Sequence, residues 1–149
     1  MNLHTNLSLI RDERGYGYWI ENGATALWED FRDKDNPWLD SKNHHFLGDI
    51  SSCFIQELVG LKSNPNSDDI RYFEFSPHFI AKLDYTKAKY ESSFGSVEIR
   101  WRRNDAKIKL DISMPNGTYG TVVLPKGTYF EDGNSVVKLC AGEHSFMVG

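Results

Sequence analysis

The feature that most constrains this chain is a change of hydrophobic period near its middle. After Asp69, Ile108, Leu110, Ile112 and Met114 alternate strictly with polar residues, and Val97, Ile99 and Trp101 do the same, with Asn104-Asp105 as the turn between them. A period of two puts every second side chain on one face, which is the pattern of a half-buried strand. Ile70–Phe75, Phe79–Tyr85, Tyr119–Leu124, Ser135–Leu139 and His144–Val148 are further short strand candidates. Short strands at regular spacing with turns between them predict an antiparallel β-sandwich over residues 70–149.

Before residue 60 the period is helical. Ile20, Ala24, Leu27 and Phe31 are spaced four, three and four apart, which predicts an amphipathic helix from about Tyr18 to Phe31, with Trp28 and Glu29 off its apolar stripe. Gly23 inside it costs about 1 kcal/mol relative to alanine, so a kink or a close helix neighbour is expected there. Leu47, Ile50, Phe54 and Leu58 predict a second helix from about Leu47 to Val59, capped by Gly60. The lead-in, residues 1–14, has only Leu7, Leu9 and Ile10 as apolar anchors, and DKDNPWLDS (Asp33–Ser41) reads as a loop. LKSNPNSDD (Leu61–Asp69) is polar and contains proline, and is the expected boundary between residues 1–62 and residues 70–149. The fold class is therefore α+β, a helix pair followed by a sandwich. Two helices leave a wide apolar surface without a partner.

Charge and composition narrow the functional classes. Residues 1–69 carry six Lys/Arg against twelve Asp/Glu, while residues 70–149 carry eleven against nine. An acidic first half argues against nucleic acid as partner. No apolar run approaches the roughly 20 residues of a membrane helix, and the N-terminus lacks a secretory pattern. Cys53 and Cys140 fit no disulfide or metal framework, so a reduced cytoplasmic protein is expected, and the sequons at Asn6 and Asn116 carry no weight. No cofactor is implied.

The stretch Gly15–Gly48, GYGYWIENGATALWEDFRDKDNPWLDSKNHHFLG, holds the chemistry. Four aromatics precede Asp30, a carboxylate follows Trp28 directly, and two histidines stand between Asn43 and Phe46. Flat rings beside a few polar groups suit a sugar cleft, because rings cover the apolar faces of pyranoses while polar groups take the hydroxyls.

GYWIENGATALWEDF at Gly17–Phe31 and NHHFLGDI at Asn43–Ile50 resemble the end of the catalytic domain of the α-L-rhamnosidase family of glycoside hydrolases. The family pattern runs glycine-Ala-Thr-Thr-x-Trp-Glu, then Asn-His-aromatic-x-x-Gly after a loop. Ala26 stands where the second threonine is usual and His45 where tyrosine is common. The resemblance continues weakly past Gly60, so it covers nearly all of this chain but only the last portion of those longer enzymes. It implies that residues 1–62 are the end of a six-hairpin (α/α)6 barrel and that residues 70–149 are the β-sandwich that follows.

The resemblance also implies roles. Glu29 matches the general base of this inverting family, which activates the water that attacks the anomeric carbon. His44 matches a sugar-binding histidine; fifteen residues separate it from Glu29, fewer than in familiar members. The ordinary alternatives are a solvated helix glutamate and a histidine bonded to a loop carbonyl. Trp28 and Trp38 are candidate sugar-facing rings, although tryptophan more often serves a core. His45 is expected to pack, and adjacent histidines are expected to point apart. With no third ligand at helical spacing, zinc is not implied. Asp30, Asp33, Asp35 and Asp40 lack the spacing of a calcium loop, and Gly15-Tyr16-Gly17 has no strand before it and no lysine after it, so it is not a phosphate loop. Phe94, Trp101 and Tyr119 read as core or edge aromatics.

An inverting glycosidase needs a second carboxylate as acid, about 6.5–9.5 Å from the base. In the family that acid, with the residues that hold the rhamnose hydroxyls, lies far upstream of the GATALWE run, and no motif here replaces it. Three readings follow. The first is a C-terminal rhamnosidase fragment acting on a rhamnoside or other carbohydrate, inactive alone, that partners an upstream barrel segment or associates with itself. The second is a carbohydrate-binding or interaction module, and the third a small hydrolase pairing Glu29 with a loop aspartate.

Overall fold

The computed structural model describes residues 15–29, 31, 41–45, 48–63 and 68–149. Contacts divide the chain into two compact units, Met1–Cys53 and Phe54–Gly149. Among the described residues no helix is long and apolar enough to cross a membrane.

In the first unit, helix α1 spans Tyr16–Glu21 and stops well short of the expected Phe31. The reason is a Schellman cap: Ala24 N–H donates to Trp19 O (2.8 Å) and Gly23 N–H to Ile20 O (3.0 Å), with Gly23 at φ +74. Asn22 Nδ2 also donates to Tyr18 O at 2.9 Å. Among the described residues from Ala24 to Phe31 the backbone is no longer helical, and Ile20, counted in the stripe, is 73 % exposed. Helix α2, Ile50–Cys53, is one turn long. Leu47 lies outside the described residues.

The second unit opens on a π-helical segment, Phe54–Val59, so the second expected helix is α-helical only in part. The chain turns at Gly60 into β1 (Leu61–Ser63), a strand where a linker was expected, which pairs antiparallel with β2 (Tyr72–Phe75). Then come β3 (Tyr85–Ser92), β4 (Gly95–Asn104), β5 (Lys107–Val123) and β6 (Val136–Val148). The order is β1-β2-β5-β4-β3, with β6 against β5.

β5 organises this sheet. Its first half pairs with β4 and its second half with β2, while β6 follows it along both, with a register slip between Met114 and Tyr119. β5 thereby joins two halves of one sheet. Phe73, Phe75 and Val122 of one half and Val97, Ile99, Trp101, Leu110 and Ile112 of the other join one buried cluster. In this core Trp101 is 1 % exposed, with Phe79 edge-on to it at 5.5 Å.

Four expectations need correction. The pairing is not all antiparallel: β2 lies parallel to β5, with the β3–β4 hairpin supplying the crossover that parallel strands need. Phe79–Asp84 is irregular: Ile80 is buried, Phe79 and Leu83 pack against the core cluster, and Leu83 N–H donates to Ile80 O at 3.0 Å. The strand begins where that segment ends, as β3. Tyr119–Leu124 is no separate strand but the continuation of β5 through Pro115, and the two C-terminal candidates are one strand, β6.

Candidate functional site

The site residues expected from the sequence fall in the first unit. After the Gly23 cap the chain runs as Leu27–Glu29 beside Ser41–His44, and two backbone hydrogen bonds join them. Glu29 N–H donates to Ser41 O at 2.9 Å, and His44 N–H donates to Leu27 O at 2.7 Å. The link places Glu29 and His44 on neighbouring segments despite the fifteen positions between them. Both side chains are half-buried. Neither residue stands on a helix, where Glu29 was expected.

The aromatics form a packed cluster. Trp19 is 2 % exposed and stacks on Phe31 at 4.6 Å, with Tyr16 edge-on to both at 5.3 and 5.4 Å. Trp28 is 5 % exposed, with Trp19 and Tyr18 each at 6.4 Å. Lys42 Nζ lies 5.6 Å from the centre of the Trp28 ring, a cation–π contact that positions the Ser41–His44 segment against Leu27–Glu29. Burial pushes the Tyr16 hydroxyl above its usual pKa, and the Cys53 and Asp49 charges add to that.

The histidine pair differs from expectation. The His44 and His45 rings lie nearly parallel, 5.5 Å apart and inclined by 11°, rather than pointing apart. His45 is exposed, not a packing residue. Its carbonyl accepts from Gly48 N–H at 2.9 Å.

Trp38 lies outside the described residues, as do Asp30, Asp33, Asp35 and Asp40. Among the described residues of this unit, the carboxylates other than Glu29 are Glu21 and Asp49, both exposed. Lys42 and Ser41 were not singled out in the sequence. Their contacts depend on the path of the intervening loop, and no local spacing reports that.

Comparison with known proteins gives a consistent family. The bacterial alpha-L-rhamnosidase C-terminal domain matches residues 60–136, and the bacterial alpha-L-rhamnosidase 6 hairpin glycosidase domain matches residues 2–58. No curated protein sequence matches. Among solved structures, the alpha-L-rhamnosidase from Dictyoglumus thermophilum is similar with TM-score 0.78 and 25 % identity, over 93 % of this chain and 18 % of that one. Streptomyces avermitilis alpha-L-rhamnosidase complexed with L-rhamnose gives 0.78 and 24 %, over 99 % and 16 %. The enzyme from Aspergillus terreus gives 0.79 and 22 %, over 94 % and 16 %. The chain thus spans less than a fifth of each of these proteins.

Proposed function

Since this chain belongs to the bacterial α-L-rhamnosidase family, we propose that its first unit supplies the general base and a sugar-binding histidine of a rhamnoside-cleaving site. Residues 1–62 are then the closing part of the helical barrel and residues 70–149 the sandwich that follows. The carrying observation is that the glycosidase-domain match runs through both Glu29 and His44, on segments tied by the Ser41 and Leu27 hydrogen bonds. A relative is complexed with L-rhamnose, which supports a carbohydrate as ligand.

In this reading the Glu29 carboxylate takes a proton from the water that attacks the anomeric carbon, and its charge faces the oxocarbenium-like transition state. His44 donates to or accepts from a sugar hydroxyl and fixes the ring against the attacking water. Lys42 and the buried Trp28 hold the two segments in register. The leaving oxygen needs a proton from a second carboxyl group. No carboxylate of this chain matches an acid motif, and in the family the acid belongs to barrel chain that precedes these residues.

Nitrophenyl α-L-rhamnoside is the most permissive test substrate, because its leaving group needs little protonation. The 149 residues alone are expected to give no turnover. A chimera that carries them in place of the matched segment of the Dictyoglumus thermophilum enzyme is expected to cleave it. Turnover by the chain alone that disappears in Glu29→Gln refutes this reading in favour of a small hydrolase. Silence in a folded chimera refutes it in favour of a binding module.

A further inference from the structure

The half-sheet β3–β4–β5–β6 carries an ordered polar face. In register, Tyr85 stands opposite Arg102 and Arg102 opposite Lys109; the next row is Lys87, Arg100, Asp111 and Ser145. A third row aligns Glu98, Ser113 and Glu143. These positions alternate with the buried Thr86, Ile99, Trp101, Leu110 and Ile112, so they share the face away from the core. Two depressions of about 380 and about 450 Å3 lie on this face and share Arg100 and Asp111.

The smaller depression is bordered by four cations, Lys87, Arg100, Arg102 and Lys109, against one carboxylate, Asp111. In a chain of net charge −4 that is a local reversal of sign. Most of these charges are matched. Asp111 receives Ser145 Oγ–H at 2.7 Å and Arg100 Nε–H at 3.1 Å, with Lys109 Nζ at 3.6 Å, and Lys87 reaches Glu98 at 3.5 Å. Arg102 is different. Among the described residues it has no carboxylate partner, and its guanidinium lies 6.0 Å from the centre of the Tyr85 ring, which is 64 % exposed.

A guanidinium over one face of an exposed aromatic ring, with an ammonium one strand away, leaves the ring's other face and edge for a ligand that is anionic at one edge and apolar on one face. The fork binds a carboxylate through two N–H groups, and the ring covers C–H bonds. The larger depression has another character. Glu98 and Glu143 accept, Ser113 and Ser145 donate and accept, and Arg100 donates, which is the mixture that sugar hydroxyls satisfy. Four strands about 4.8 Å apart, with rows about 6.8 Å apart, give room for two pyranose rings.

We propose that this face binds an acidic saccharide, with a uronate carboxylate on Arg102 and Lys109, its ring on Tyr85, and the neighbouring sugar's hydroxyls over Asp111, Ser113 and Ser145. The site breaks no bond and shares no residue with the Glu29 site, so it goes beyond the function proposed above. The two readings stand or fall separately.

The test is calorimetric titration of the 149-residue chain with a sodium aldobiouronate (one uronate linked to one neutral hexose), neutral maltose, sodium acetate and a short single-stranded DNA, with circular dichroism to confirm that each variant is folded. The expected result is aldobiouronate binding that weakens with salt, and no comparable binding of the other three probes. Arg102→Ala is expected to weaken it about tenfold, and Arg102→Lys to restore only part of the loss, because an ammonium lacks the fork. Tyr85→Ala is expected to weaken binding as well, whereas Lys138→Ala, on the other half-sheet, leaves it unchanged. No aldobiouronate binding, equal binding of maltose, or an unchanged Arg102→Ala overturns the proposal. DNA bound as tightly as the uronate with no effect of Tyr85→Ala also overturns it, in favour of a general cation patch.

Discussion

Gly60→Ala tests how the second unit is tied together. Gly60 sits at φ +82 between the π-helical segment and β1, and its carbonyl accepts Ser76 N–H at 2.7 Å. A Cβ there would run into the Ser76 carbonyl group and Pro77 N, which are backbone atoms with no flexible end to swing away. The next residue, Leu61, is 3 % exposed and stands opposite the fully buried Phe75, so any retreat of the chain opens the core at β1–β2. Two costs therefore add: about 1–2 kcal/mol for an L-residue in the left-handed region and about 1–3 kcal/mol for overpacking. Gly127→Ala separates them, since Gly127 has φ +86 but nothing within 4 Å of its missing Cβ. Urea unfolding followed by circular dichroism reads both variants, with the shift in midpoint at constant slope giving the difference. Gly60→Ala should be less stable than Gly127→Ala by at least about 1 kcal/mol, or about 4 °C or more in melting temperature. Equal destabilisation would refute the close approach of the Gly60 and Ser76 backbones.

Leu110 is fully buried in the core cluster of the second unit, so Leu110→Ala should cost about 2–5 kcal/mol by the same urea assay, and a cost below about 1 kcal/mol would place it outside the core. Asp69 gives a pH test. Arg71 binds its carboxylate through Nε and Nη2 (2.9 and 2.7 Å) and through the backbone N–H (3.0 Å), and Tyr119 Oη–H donates at 2.9 Å, so the carboxyl is held well below the usual carboxylate range. A depressed folded-state pKa contributes stability above the unfolded value near 3.8 and loses it as pH falls below that. Asp69→Asn should therefore lower the melting temperature at pH 7 and narrow its gap to wild type below about pH 4; a gap that widens in acid contradicts the assignment.

How far the sequence reported the fold depends on where each element sits. Val97–Trp101 and Ile108–Met114 alternate because one side of each strand is fully buried and the other solvated, and both appear as strands in β4 and β5. β3 has no such signal. It is an edge strand rich in lysine, with Thr86 as its one buried position, and charge on an edge strand blocks pairing with another chain rather than marking a core face. The parallel β2–β5 pairing and the run of β5 through Pro115 are set by tertiary packing, which local periodicity does not carry. In the first unit, the spacing of Ile20, Ala24, Leu27 and Phe31 imitates a helix, but the Asn22-Gly23 cap ends it after six residues. A glycine cap overrides an apolar stripe. The WE and NHH motifs marked Glu29 and His44 through resemblance to a family, while the Lys42–Trp28 contact and the stacked histidines follow from a loop geometry that no local pattern encodes.

The central claim is that Glu29 acts as base and His44 as a sugar ligand, and steady-state kinetics of the chimera with nitrophenyl α-L-rhamnoside separates the two roles. Glutamine at Glu29 keeps the side chain's size but takes no proton, so Glu29→Gln should lower kcat about 10²–10⁴-fold with KM little changed. His44→Ala should act chiefly by raising KM. If Glu29→Gln keeps its kcat, or if both variants change KM alone, Glu29 is not the base.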